Sequence, residues 1–432
     1  MIKQIKNIME NLPYPVGRAL SLLPFRYRLG TAYSQFHHLA NQSLCWSDRE
    51  REEYMLGKLR NIVEHAKQKF PCYQKLYKQH GVYDLEINSL ADFSKLPITD
   101  KAFFREHISE FSGAYLLNTG GTTGSPFSFY IDKNAWAREW AHMHLIWGMR
   151  DYHYQQLNLA LRGKNLENKN IKYNPVHNEF LVNTYRTVSD FLPEIRSLFQ
   201  KRKITYIHGY PSSVYNFIVE LEKCCSTAEI KVFLAPIKGV LLHSEFPYPY
   251  MKEKFAGYQL PCISWYGHSE MAILAYDNEF NNHFRLLPTY GYAEVVGEQL
   301  LGTSFHNFDM PLIRYNTGDL VTPLSVTEHG GCTAFAINAG RSGDYIEDRH
   351  GKQIPLTSLI FGRHHRAFEV AEHVQIHQES PGKAVIYLIA GQHIPSENLH
   401  NFFDLSNVDV DFEIEVRNKP ILTKAGKLRL KI

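Results

Sequence analysis

Several kinds of signature are missing from this chain, and each absence narrows what it does. The six cysteines (Cys45, Cys72, Cys224, Cys225, Cys262 and Cys332) are scattered and form no C-x-x-C pair. That excludes a disulfide framework or a cysteine-held zinc, and is expected of reduced thiols in a cytoplasmic protein. No H-E-x-x-H stands among the 22 histidines. His37-His38, His142/His144 and His364-His365 therefore read as surface or satisfied core residues rather than metal ligands. No apolar run reaches the about 18 residues of a membrane span, and no signal-peptide pattern opens the chain. A net charge of +3, without basic runs interleaved with aromatics, argues against nucleic acid as partner. Repeats and low-complexity tracts are absent.

What is present describes an ordinary globular protein. Length is 432 residues, with 44% hydrophobic and 21% charged residues, room for roughly two or three domains with a large core. Met1 to Leu12 alternates Ile2, Ile5, Ile8 and Met9 with Lys3, Lys6 and Glu10. Such an amphipathic start docks on the protein's own body or, alternatively, on a membrane surface. Arg49 to His80 carries apolar residues at helical spacing, interrupted by Pro71, and predicts one or two helices. Pro97 to Asp100 predicts a turn and cap before a helix over Lys101–Glu106.

Farther on, strands are predicted at Phe127–Ile131, Leu157–Leu161, Ile204–Ile207, Val232–Leu234 and Ile263–Tyr266. Helices are predicted at Ala135–Met149 and Val214–Cys224. This alternation predicts an α/β fold with a substantially parallel sheet, whose ligands gather beyond the carboxyl ends of the strands. A domain break is expected near Gly340–Asp344, giving a large domain over 1–340 and a small α/β domain over 341–432. Strands at Ala384–Ile389 and Val408–Val416 would belong to the second.

The chemistry-bearing stretch is Asn118-Thr119-Gly120-Gly121-Thr122-Thr123-Gly124-Ser125-Pro126. Three glycines free the backbone to converge its N–H groups on an anion, and four hydroxyls add donors without charge. It is not a Walker A loop, since no lysine follows the last glycine. Downstream come Tyr266-Gly267-His268-Ser269-Glu270, Arg314-Tyr315-Asn316-Thr317-Gly318-Asp319, Gly340-Arg341-Ser342-Gly343-Asp344 and Lys424-Ala425-Gly426-Lys427-Leu428-Arg429. In this order the set resembles the adenylate-forming (acyl-CoA synthetase) superfamily, within it the phenylacetate–CoA ligase-like branch. The capsular-polysaccharide-biosynthesis members of that branch are the most similar. The resemblance covers nearly the whole chain.

The resemblance implies ATP-dependent activation of a small carboxylic acid to an acyl-adenylate. Transfer then follows to coenzyme A, a carrier-protein phosphopantetheine or an amine, with a glycan as eventual acceptor in cell-surface polysaccharide biosynthesis. It implies a phosphate cradle at Thr119, Gly120, Gly121, Thr122, Thr123 and Gly124. Further nucleotide contacts would come from Ser244, Glu245, Tyr266, Gly267 and Arg341. A ribose-binding carboxylate is implied at Asp319, an Mg²⁺-binding and catalytic carboxylate at Glu270, an acyl contact at His268 and a catalytic lysine at Lys427. The C-terminal domain would rotate about Gly340–Asp344 between two catalytic poses. Two positions depart from the pattern: Ser125, where lysine is frequent, and Gly343, where aspartate is usual. They leave room for a different reading, a non-catalytic nucleotide- or acyl-binding interaction module.

Overall fold

The computed structural model describes residues 11–119, 127–164, 166–245, 247, 249–328, 330–338, 345–356, 359–360, 363, 365–371, 373–390, 396–421 and 430–432. Met1–Glu10, Gly120–Pro126, Gly340–Asp344 and the Lys424–Arg429 tail lie outside them.

Local signals decide where the first helices begin and end. Ser47 accepts from Glu50 N while Glu50 reaches back to Ser47 N at 2.7 Å, a capping box that starts the helix Asp48–Lys69. Its buried stripe is Met55, Leu59, Ile62, Val63 and Ala66. Pro71 cannot continue that helix, and instead stands at the start of a second one, Pro71–Gln79. One expectation fails here. Val232–Leu234 is not a strand but the last turn of the helix Thr227–Leu234, capped by Ser226 accepting from Glu229 N. Ile230, Phe233 and Leu234 are buried at i, i+3 and i+4, so helical burial overrode the β-preference of a three-residue apolar run.

A short antiparallel pair, β1 (Tyr115–Thr119) and β2 (Phe127–Ile131), flanks the glycine-rich stretch. Among the described residues the main sheet has twelve strands. These are β3 (Leu157–Leu161), β4 (Ile171–Asn174), β5 (Glu179–Val182), β6 (Ile204–Gly209), β7 (Gly239–His243) and β8 (Cys262–Gly267). After them come β9 (Leu274–Asp277), β10 (Phe284–Leu286), β11 (Gly291–Val296), β12 (Gln299–Ser304), β13 (Tyr315–Val326) and β14 (Cys332–Ile337). Their spatial order is 11-12-13-14-10-9-8-7-6-3-5-4. From β8 through β7, β6 and β3 to β5 the pairing is parallel, and both flanks are antiparallel.

The parallel strands are nearly continuous apolar runs because both faces are covered. Tyr206, Leu241 and Ile263 join the core formed with the helices Asp48–Lys69 and Ala135–Gly148. Ile207, Val240 and Leu242 pack on the other side with the helices Leu192–Lys201 and Pro211–Cys224.

Beyond Tyr345 the chain forms a pair, β15 (Tyr345–Glu347) with β16 (Gln353–Pro355). A three-stranded sheet of β17 (His373–Ser380), β18 (Lys383–Ile389) and β19 (Asp411–Arg417) follows. These have their own apolar core, which also takes in Tyr185 from the loop after β5. Arg363 lies 4.0 Å over the Tyr185 ring, and Lys352 Nζ donates to Arg186 O at 2.6 Å.

Candidate active site

The site is built at the carboxyl end of β8 and on the strands beside it. β8 delivers Tyr266 and Gly267 into the turn that holds His268 and Glu270 before β9 begins. Glu270 is only 5% exposed and its two oxygens are separately engaged. Tyr315 Oη donates to Oε1 at 2.9 Å, and His268 Nδ1 donates to Oε2 at 3.1 Å. The Lys101 ammonium stands 3.8 Å from Oε1. Burial works against the carboxylate, but the His268 hydrogen bond and charge, and then Lys101, outweigh it and bring its pKa down to about 2. Burial, and next the Glu270 charge, push the Tyr315 phenol far above its ordinary range, so Tyr315 stays a donor. His268 Nε2 is buried with no partner among the described residues.

Asp319 sits beside this group on β13. Its Oδ2 accepts from Tyr266 Oη at 2.8 Å, so one hydrogen bond couples the tyrosine motif to the aspartate motif. Thr317 Oγ1 accepts from Asp319 N at 3.2 Å and donates to Leu300 O at 2.9 Å, holding the turn to β12. Gly318 has φ 78°, a conformation costly for residues with a Cβ. Phe335 meets the Tyr266 ring edge-on at 5.2 Å.

Lys101 is placed by a backbone stitch. Thr99 N donates to Arg314 O at 3.1 Å, Asn316 N donates to Thr99 O at 2.8 Å, and Thr99 Oγ1 donates to Ile313 O at 2.8 Å. Asp100 then caps the helix Lys101–Glu106 by accepting from Phe103 N at 2.9 Å. Arg314, the first residue of its motif, is taken up structurally: buried, it pairs with Glu294 at 3.0 Å and donates to Leu96 O.

The glycine-rich stretch enters and leaves next to these residues. Thr119 and Phe127 are cross-strand partners, and the Phe127 ring stacks on Tyr315 at 6.2 Å. Ser244 and Glu245 lie at the end of β7, where His243 pairs in register with Trp265 of β8. Glu245 Oε2 accepts from Ser212 N at 3.1 Å, at the N-terminus of the helix Pro211–Cys224, a structural use of that carboxylate. Burial raises its pKa.

So Tyr266, Gly267, His268, Glu270 and Asp319 come together, with Thr119 at the near end of β1 and Ser244 just past the end of β7. Gly120, Gly121, Thr122, Thr123, Gly124, Arg341 and Lys427 lie outside the described residues. Two members of the cluster were not singled out in the sequence, Lys101 and Tyr315. Tyr315 stands inside a quoted motif; Lys101 looked only like the residue after a helix cap. Of the histidines, His142 is a satisfied core residue, bonded to Arg138 O and Thr289 Oγ1.

No family model and no curated protein matches this chain. Solved structures do. A 2-hydroxyisobutyryl-CoA ligase in complex with 2-HIB-AMP and CoA, in its thioesterification state, aligns with TM-score 0.53 at 17% identity. The alignment covers 89% of this chain and 90% of that one. The same ligase with 2-HIB-AMP in its postadenylation state gives 0.50 at 18% identity, over 89% and 90%. An open form with 2-HIB-AMP and CoA also gives 0.50, over 71% and 78%. The fold of this chain is thus the mixed α/β fold of that adenylate-forming ligase.

Proposed function

We propose that the chain is an ATP-dependent, adenylate-forming ligase. The observation that carries the reading is the coupled pair of carboxylates. Glu270, just past the carboxyl end of parallel strand β8, is buried, charged and held by Tyr315 and His268, and Asp319 on the antiparallel flank reaches this end through its bond with Tyr266. Ligands of open α/β sheets collect at that end. In the first step an oxygen of the substrate carboxylate attacks the α-phosphorus of ATP. The bond to the β-phosphate bridge breaks and pyrophosphate leaves. In the second, a thiol sulfur attacks the acyl carbonyl, its proton is lost, and the carbon–oxygen bond to AMP breaks.

Each residue has a task in that scheme. Asp319 accepts from the ribose hydroxyls, since a charged acceptor binds them more strongly than a neutral one. Tyr266 gives the adenine a ring face. Glu270 is a lone hard carboxylate and fits Mg²⁺, which takes one or two protein carboxylates and leaves its other positions to water and phosphate. Bound there, the ion would neutralise phosphate charge. Lys101 neutralises Glu270 when no cation is present. Lys427 and Arg341 would bring positive charge to the reacting centre from the C-terminal side, and the glycine-rich stretch would wrap the phosphates. Motif resemblance supports a thiol of coenzyme A or of a carrier-protein phosphopantetheine as acceptor, and a place in cell-surface polysaccharide biosynthesis.

The test is ATP–pyrophosphate exchange with a pooled library of carboxylic acids and Mg²⁺. Acid-dependent exchange is expected. Nucleotide binding without exchange for any acid would point to the non-catalytic binding module instead.

A further inference from the structure

The helix Tyr14–Ser21 rests on the body through Tyr14, whose ring packs on Tyr173 and Phe180, and still leaves apolar side chains facing outward. Its buried residues are Gly17 and Ser21, one turn apart. A Cβ at Gly17 would come within 2.9 Å of the Pro175 side chain, so the helix seats its smallest residue against the body. At 100° per residue Val16 and Ala19 fall on the opposite side, and Leu22 and Leu23 follow directly where the helix ends. Val16 is 57% exposed, Leu22 42%, Leu23 41%, and Tyr27 in the next turn 65%. Single exposed apolar residues are ordinary, but four large ones within twelve positions make a cluster.

The patch is rigidly presented. Arg28 donates to Leu23 O at 2.7 Å and to Val176 O at 2.9 Å, with its guanidinium 4.6 Å over the buried Phe25 ring. Arg26 lies 4.7 Å over Tyr27 and donates to its hydroxyl, so a basic and an aromatic side chain stand together at the rim. Charge is concentrated in the same stretch of sequence. Lys3, Lys6, Arg18, Arg26 and Arg28 against Glu10 leave +4 in residues 1–47, while the whole chain carries only +3. The remainder is therefore −1.

We infer that this face docks on an anionic lipid bilayer. Apolar side chains with aromatic and arginine neighbours suit the headgroup boundary, where a ring and an arginine stem are buried and the charged heads stay wet. Eight residues make a helix about 12 Å long, which lies in the surface plane rather than crossing it. Arg18, Arg26 and Arg28, with no acidic residue among positions 11–47, supply the electrostatic part opposite anionic headgroups.

The experiment is co-sedimentation of the full chain with vesicles of phosphatidylcholine alone or mixed with phosphatidylglycerol. Partitioning at least about tenfold stronger to the anionic vesicles is expected, weakening with salt. Leu22→Glu/Leu23→Glu should abolish binding, and Arg26→Glu should weaken it about fivefold. Thermal unfolding and nucleotide binding should stay as in the wild type. Wild-type protein left in the supernatant would overturn the inference, as would a Leu22→Glu/Leu23→Glu variant that still sediments. So would a wild-type dimer that this variant converts to monomer, since a second copy would then cover the face. If the double variant does not fold, the Arg26→Glu arm alone decides.

Discussion

At the scale of single residues the cluster makes distinct demands. Glu270 has its pKa lowered from 4.5 to about 2, so its carboxylate contributes stability that is fully present above the ordinary value. That contribution is lost only as pH falls through about 2. Glu270 should therefore remain ionised through the mildly acidic range, and any acid limb in the exchange rate between pH 5 and 7 should survive Glu270→Asp unshifted. A limb that moves with this substitution would assign the titration to Glu270. A cation at Glu270 would have to compete with Lys101, 3.8 Å from the same oxygen, but Lys101 is partly exposed and the pair is accordingly modest. Lys101→Met should thus lower the half-saturating Mg²⁺ concentration roughly two- to fivefold, measured by exchange at fixed ATP. For Asp319→Asn the loss of a charged acceptor for two hydroxyls should weaken ATP binding by roughly 1.5–3 kcal/mol with the fold intact. Titration calorimetry reads this directly; equal affinity would remove Asp319 from the ribose.

At the scale of elements, the site depends on a join between the segment Thr99–Lys101 and β13. Arg314 is the rivet: its guanidinium pairs with buried Glu294 and its backbone carbonyl accepts from Thr99. Removing one member of a buried pair leaves the other charge uncompensated, so Arg314→Met should cost about 3–5 kcal/mol, seen as a fall in denaturant midpoint. ATP affinity of the folded fraction should barely change, because Arg314 points into the body. Motif reading cannot separate these roles, since Arg314 and Asp319 stand in one run of six residues. Much else was legible. The Pro71 break, the Asp100 cap before Lys101–Glu106 and the strand Phe127–Ile131 are short-range signals, and each came out where expected. The helix Thr227–Leu234 was missed although Ser226 and Glu229 have capping-box spacing, because three apolar residues at its end read equally well as a strand. Lys101 was illegible for a different reason. Its partner Glu270 is 169 positions away in sequence, and only the Thr99–Arg314 stitch brings them together.

On the scale of the whole molecule, the question is how the C-terminal residues reach a centre built by the larger part. Described contacts between the two include Arg363 over Tyr185, Lys352 on the Arg186 carbonyl and Asn216 Nδ2 on the Gln353 carbonyl at 3.3 Å. They seat β15 and β16 near the loop after β5. The described residues Leu430–Ile432 return to this unit, Ile432 N donating to Ile376 O at 3.0 Å beside β17. A lysine delivered by a separate small unit would act where that unit is docked for the first step, and be withdrawn when it turns for the second. Lys427→Ala should then fail to make acyl-AMP from acid and ATP, a loss of about 10²–10³ in rate for one preorganised charge. The same variant should still convert ready-made acyl-AMP to product, because attack by a thiol on the carbonyl requires no positive charge between carboxylate and phosphate. Lys424→Ala, three positions earlier and outside the Gly-Lys-x-Arg pattern, should do much less. Pyrophosphate release reports the first step and AMP release from synthetic adenylate the second. Equal and mild effects of the two substitutions would make the tail a solvated basic segment, and the positive charge at the reacting centre would have to come from Lys101 or Arg341 instead.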